Sequence, residues 1–130
     1  AALRFASETG GYAVINALLI SNVQESVFPA IAGTTVLEDP EAEGLMVIET
    51  FSAAAAIQAA DLAVKTGSIS LLRIHVAMAI GGKGLVVATG NIEALRSAAV
   101  PAVAFLKDDG TLAGYSLISH PHPDVLNELL

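Results

Sequence analysis

The pattern of apolar and polar positions divides the chain into strands, helices and one acidic linker. Apolar runs rich in branched residues predict strands at 45–49, 69–78, 85–89 and 112–118. Alanine-rich or helically periodic segments predict helices at 51–65 and 91–106, and a short helix at 123–130 that a proline can begin. Residues 45–130 therefore have the order β-α-β-β-α-β-α. This order is typical of an α+β, ferredoxin-like βαββαβ unit with a four-stranded antiparallel sheet, flanking helices and an added C-terminal helix.

The first 33 residues predict only part of such a unit. Ala1–Thr9 has the pattern of the end of a helix, Tyr12–Ile20 is an apolar run that predicts a strand, and a short helix from Ser21 or Asn22 ends near Ala30. Residues 34–44 are acidic and carry a proline and a glycine, which indicates a linker.

The first 33 residues also resemble the end of the unit that follows. Three matches occur in the same order, pairing Ala2-Leu3-Arg4 with Ala94-Leu95-Arg96, Leu19-Ile20-Ser21 with Leu117-Ile118-Ser119, and Val27-Phe28 with Val125-Leu126. We therefore expect residues 1–33 to be the C-terminal α-β-α part of a first repeat, 34–44 a linker and 45–130 a complete second repeat. The missing β-α-β-β portion belongs either to a longer tandem protein, of which this chain is the C-terminal portion, or to another chain.

Composition narrows the possible partners. Hydrophobic residues make up 54% and charged residues 15%, a low charge content for a monomer surface, so we expect some surface to be buried against copies of the chain. The net charge of −7 argues against a nucleic-acid partner, which requires a basic surface. The longest uncharged stretch, Thr9–Gln24, is shorter than the roughly 20 apolar residues of a membrane span. Without a signal-peptide pattern, a soluble cytoplasmic protein is expected. The lack of cysteine excludes a disulfide framework and a thiolate metal site within this chain.

Residues 44–130 resemble the bacterial microcompartment shell domain. The residues that carry the resemblance are Ile48-Glu49-Thr50, the helix with Asp61 and Lys65, the hairpin Gly81-Gly82-Lys83-Gly84, and Thr89-Gly90-Asn91. The segment Ser119-His120-Pro121-His122 is similar to the Pro-Arg-Pro-His segment of the family, with His120 in place of the arginine. Within the family, residues 73–83 resemble the second repeat of the tandem-domain, trimer-forming shell proteins of the propanediol-utilisation type.

The resemblance implies a structural protein and not an enzyme. Tandem members form homotrimers that mimic a hexamer, and these tiles pack with other shell proteins around an enzyme cargo. The resemblance places Ile80, Gly81, Gly82 and Lys83 at a central pore for small metabolites, where glycine amides favour anions. Some tandem members hold an iron–sulfur cluster at the pore through one cysteine per subunit in the first repeat's hairpin. That hairpin lies outside these 130 residues, so no cofactor is predicted for this chain.

The resemblance also places Asp61, Lys65, His120, Pro121 and His122 at the tile edge. Asp61 and Lys65 have the i,i+4 spacing of a helical ion pair. A histidine has fewer donors than arginine and is mostly neutral at pH 7, which puts tile-to-tile contacts through His120 in doubt. His120 and His122 alone make a poor metal site, because structural zinc requires four ligands.

No catalytic constellation is found, and the glycine-rich hairpin offers the alternative function. Gly81–Gly84 lacks the spacing, the Ser or Thr and the following helix of a phosphate-binding P-loop. It could still cradle a phosphate through its backbone N–H groups. The alternative is therefore a ferredoxin-like regulatory domain that binds a small phosphorylated effector through this hairpin.

Overall fold

A computed structural model of the chain describes residues 1–39, 41–76 and 81–130. The described elements are α1 (Ala2–Gly10), a 3-10 turn (Gly11–Ala13), α2 (Val27–Ala32), β1 (Gly44–Thr50), α3 (Ala53–Thr66), β2 (Ser70–His75), β3 (Gly84–Gly90), α4 (Ile92–Asp109), β4 (Leu112–Ser119) and α5 (Pro123–Leu129). The strands form an antiparallel sheet in the order β2-β3-β1-β4. The predicted α+β fold with a four-stranded antiparallel sheet and flanking helices is confirmed.

The central strand β1 divides the core between two faces of the sheet. Because side chains alternate along a strand, Met46 and Ile48 face α3 and α4, whereas Leu45 faces the opposite side. The alanines of α3 let that helix approach the sheet closely, and those at 55, 56, 59, 60 and 63 are buried. On the second face, Leu126 of α5 and Ala42, just before β1, complete a smaller cluster. The helices α3 and α5 therefore cover opposite faces.

Capping side chains set the starts of α3 and α4. The side chain of Ser52 accepts a hydrogen bond from Ala55 N–H, so α3 begins at Ala53 and not at the predicted residue 51. The side chain of Asn91 likewise caps α4. The predicted end of α4 near Leu106 is wrong, because the helix continues to Asp109. The left-handed backbone that ends it is adopted at Gly110, with φ 72°.

The predicted strand at Tyr12–Ile20 is wrong. A 3-10 turn occupies Gly11–Ala13, and residues 14–20 form no regular element. A strand requires a neighbour that completes its hydrogen bonds, and neither β2 nor β4 pairs with this segment in the described structure. Tyr12 and Leu19 accordingly remain exposed, Leu19 by 81%. Residues 1–33 therefore contain α1 and α2 without a strand between them.

Two further boundaries differ from the predictions. The helix predicted from Ser21 or Asn22 begins only at Val27, after Asn22 has adopted a φ of 52°. The strand β2 ends at His75, and the predicted end at Met78 lies outside the described residues. None of the described helices is long and apolar enough to cross a bilayer.

Candidate functional site

Two consecutive glycines turn the chain into β3. Gly81 and Gly82 have φ values of 73° and 74°, a conformation that residues with a side chain rarely adopt. The carbonyl of Gly82 accepts a hydrogen bond from Ala53 N–H at 2.9 Å. A Cβ on Gly84 would lie 2.4 Å from the Cβ of Ala56. The hairpin is therefore held closely against the first turn of α3.

Lys83 is the charged residue of this hairpin. Its Nζ lies 3.4 Å from the Glu49 Oε1 and 5.6 Å from the centre of the Phe51 ring. Both charged side chains are nearly half exposed, so water screens the pair and it contributes at most about 1 kcal/mol. The glutamate and the aromatic ring nevertheless orient Lys83 over its own domain. Ile80, which the resemblance places beside these residues, lies outside the described part of the chain.

Asp61 and Lys65 form the predicted ion pair, and the pair connects α3 to the N-terminal segment. The Asp61 side chain is only 2% exposed; its Oδ2 lies 2.5 Å from the Lys65 Nζ. Its Oδ1 accepts the backbone N–H of Gln24 at 2.8 Å. Lys65 also donates to the carbonyl of Ser21 at 3.2 Å, and 37% of its side chain is exposed. Lys65 is thus the member of the pair that reaches the surface, while Asp61 positions it.

Apolar contacts extend the same junction along α2. Val27 and Ala30 are completely buried and join the core cluster of α3 and the sheet. Gly33 ends α2 with a φ of 72°. The Arg73 guanidinium of β2 lies so close to Gly33 that a Cβ on this glycine would be 1.8 Å from Nη1. The N-terminal segment is therefore packed onto the α3–β2 side of the domain.

A second polar contact lies nearer the hairpin. The Asn16 side chain donates from Nδ2 to the Ser52 Oγ at 2.8 Å. Ile15 lies beside the hairpin, since a Cβ on Gly82 would lie 3.9 Å from its Cδ1. The segment that precedes α2 therefore runs from the hairpin to the C-terminal half of α3.

His120, Pro121 and His122 lie between β4 and α5. His120 is exposed, has a φ of 50° and donates its N–H to the Glu43 carbonyl at 2.8 Å. Pro121 is buried. The Nδ1 of His122 accepts the Asp124 N–H at 3.3 Å and caps α5. Because α3 and α5 cover opposite faces, the structure does not bring these residues together with Asp61 and Lys65 in one chain.

A polar cavity of about 500 Å³ lies between the N-terminal segment and the ends of β2 and β3. Its described lining includes Glu38, Asp39 and Glu43 and no lysine or arginine, which disfavours a phosphorylated ligand. Within the described ranges, no group of three or more His, Cys, Asp or Glu is arranged to hold a metal ion.

Sequence reasoning missed the residues that join the N-terminal segment to the domain. Asn16, Gln24 and Arg73 make contacts between positions distant in sequence, and no local pattern indicates them. The sequence contains one signal for the turns at Asn22 and His120. Asn22 and His120 each follow the repeated Leu-Ile-Ser, and among the described residues they are the non-glycine positions with positive φ.

Comparison with known proteins agrees with this fold. The family model of the BMC domain matches residues 45–121. The bacterial microcompartment shell protein PduT of Citrobacter freundii is 33% identical over 129 residues, which cover 99% of this chain and 69% of that protein. A crystal structure of a microcompartment protein from Desulfitobacterium hafniense DCB superposes with a TM-score of 0.82 at 33% identity, covering 97% of this chain and 68% of that one. The chain therefore belongs to the BMC domain family of bacterial microcompartment shell proteins.

Proposed function

We propose that this chain is the C-terminal portion of a tandem-domain shell protein whose homotrimer forms a pseudo-hexameric tile with a central pore. In this proposal, residues 1–33 end a first BMC repeat, residues 34–44 link the repeats, and residues 45–130 form the second. One observation carries the proposal: the segments after the two Leu-Ile-Ser matches share a left-handed residue, Asn22 with φ 52° and His120 with φ 50°, followed by a short helix.

Exposed apolar residues support an incomplete first repeat. Phe5, Leu19 and Phe28 are exposed by 70%, 81% and 61% in the described structure. Large apolar side chains so exposed indicate a surface that another part of the protein covers. The rest of the first repeat would supply that cover, as α3, α4 and the sheet do for the second repeat.

Gly81, Gly82 and Lys83 are the proposed pore residues, together with Ile80. The glycines leave backbone groups free of side chains at the hairpin, a surface suited to small polar metabolites. Glu49 offsets the charge of Lys83, so the pore we propose discriminates by size and hydrogen bonding more than by charge. This chain has no cysteine, so its own residues do not fit the ligand set of an iron–sulfur cluster.

Lys65 and the segment His120–His122 are the proposed tile-edge residues. The side chain of Lys65 is partly exposed, and both histidines are exposed. Asp61 and Pro121 are buried, so each would act by fixing the backbone or side chain beside it. Neighbours across these edges would be further copies or other shell proteins of the microcompartment in the cytoplasm.

Electron microscopy of the natural protein at high concentration tests this function. Hexagonally packed sheets or three-fold rings are expected, and a monodisperse monomer would contradict the proposal. A single-residue variant sharpens the test: Lys65→Ala should retain three-fold rings while reducing sheets, and Lys107→Ala, in the last turn of α4, should retain both.

A further inference from the structure

Equivalent residues of the two repeats are exposed in opposite ways. In α5, Leu126 is fully buried, whereas its counterpart Phe28 in α2 is 61% exposed. The neighbouring pair is reversed, since Val27 is fully buried and Val125 is 42% exposed. The two short helices therefore bury alternate faces.

The same reversal occurs before the turn. Leu117 packs against the main core, whereas its counterpart Leu19 is 81% exposed. Ile20 is half-buried, whereas its counterpart Ile118 is 41% exposed. The short helix and the segment before the turn thus show the same two classes of position: one is better buried in residues 45–130, and the other is better buried in residues 1–33.

A single arrangement explains both classes. In the proposed tile, Leu117 and Leu126 pack on their own domain. Leu19 and Phe28 are exposed in these 130 residues because the rest of the proposed first repeat, which would cover them, is not among them. Val27 packs instead on the α3–β2 side of the following domain. No described element covers Val125 as α3 and β2 cover Val27. In a closed ring of tandem chains, the domain that covers Val125 is the first repeat of a neighbouring copy.

We propose, building on the proposed tile, that Ile118, Val125 and the backbone of the turn Ser119–His122 form the surface that docks onto the first repeat of a second copy, while the exposed side chains of His120 and His122 face the tile edge. The contacts of Asp61 and Lys65 within this chain indicate which groups the first repeat of the second copy should present. There a buried aspartate accepts the N–H of Gln24, and a lysine four residues later donates to the carbonyl of Ser21. The receiving helix should therefore hold an aspartate for the N–H of His122 and a lysine for the carbonyl of Ser119.

The two junctions also differ in a defined way. Ala30 is fully buried, but the equivalent position in α5 is Glu128, which is exposed. Asn16 donates to Ser52, but the equivalent position is Gly114, which has no side chain to donate. The junction between copies is therefore smaller than the junction within the chain, and Val125 carries a larger share of it.

Native mass spectrometry of the natural protein, with its complete first repeat, tests the docking surface. Val125→Asp should raise the protomer concentration at half-dissociation of the trimer by about tenfold or more. Asn127→Asp, which adds the same charge at an exposed position of α5, should leave it unchanged. A Val125→Asp protein as trimeric as the parent overturns the docking surface and leaves the tile standing. A monomeric parent overturns both.

Thiol labelling covers the case in which Val125→Asp does not fold. A cysteine at position 125 should react with maleimide at least tenfold more slowly than one at position 127, after subtraction of labelling in the unsubstituted trimer. Equal rates in the folded trimer overturn the docking surface.

Discussion

The buried carboxylate of Asp61 accepts the backbone N–H of Gln24 at 2.8 Å, although 37 residues separate them. This bond, with the contact from Lys65 to Ser21, fixes the N-terminal segment on α3. The i,i+4 spacing alone would assign Asp61 to an exposed ion pair. In the structure Asp61 is buried and connects two parts of the chain.

Asp61→Ala should lower the free energy of unfolding by about 2–4 kcal/mol, because it leaves a buried N–H and a lysine without their acceptor. Urea denaturation measures the change. Glu93→Ala is the matched control, since Glu93 pairs with Arg96 at 3.6 Å on an exposed helix face and should change stability by less than about 1 kcal/mol. Equal effects of the two substitutions would contradict the buried connection.

Gly33→Ala should destabilise the protein more than Gly110→Ala. Both glycines have a φ of 72°, so both substitutions incur about 1 kcal/mol of backbone strain. Only the Cβ at position 33 would also meet the Arg73 guanidinium, at 1.8 Å; because that group ends a flexible side chain and can move aside, the excess should be less than about 1 kcal/mol. The excess should disappear in an Arg73→Ala background, which a double-mutant cycle of thermal or urea unfolding measures. An excess that persists without Arg73 would show that another contact causes it.

Gly84→Ala should cost about 1–3 kcal/mol, because the added methyl group would overpack the contact with Ala56 and Thr50. Gly114→Ala is the control, since a Cβ there meets nothing within 4 Å. Urea denaturation should show that change to be neutral within about 0.5 kcal/mol. Two neutral substitutions would indicate that the hairpin is not held against α3.

The loss of stability caused by Phe28→Ala should depend on whether the proposed first repeat is complete. In the 130-residue chain Phe28 is 61% exposed, so its truncation should cost less than about 1 kcal/mol. In a protein that contains the complete first repeat of our proposal, it should cost about 3–5 kcal/mol, because the counterpart Leu126 is fully buried. Leu126→Ala, measured alongside, should cost several kcal/mol in both proteins. A small effect of Phe28→Ala in both would contradict an incomplete first repeat.

Local sequence signals predicted the elements of residues 45–130 well. The branched runs of β1 and β3 and the proline that begins α5 act through neighbouring residues, so the sequence around them is enough. Tyr12–Ile20 has the same apolar composition, but no strand of the described residues pairs with it. A strand requires a pairing partner, which local propensity cannot express.

In the candidate site, too, the sequence predicted local contacts and not contacts between distant residues. The spacing of Asp61 and Lys65 predicted their ion pair, and the glycines at 81 and 82 predicted a turn. The contacts to Ser21 and Gln24 join positions distant in sequence, and no motif marks them. Asn22 and His120 each follow a Leu-Ile-Ser match and share a left-handed backbone conformation, which the residues around either position do not indicate by themselves.

In the three-fold tile that we propose, residues 1–33 end one repeat and residues 45–130 form another. The most direct measurement is an electron cryomicroscopy structure of the assembled natural protein. We predict three chains around a three-fold axis, with Gly81–Lys83 of each chain beside the axis and Phe28 buried in its own first repeat. A structure in which residues 1–33 belong to no second domain, or in which the hairpin lies away from the axis, would contradict the claim.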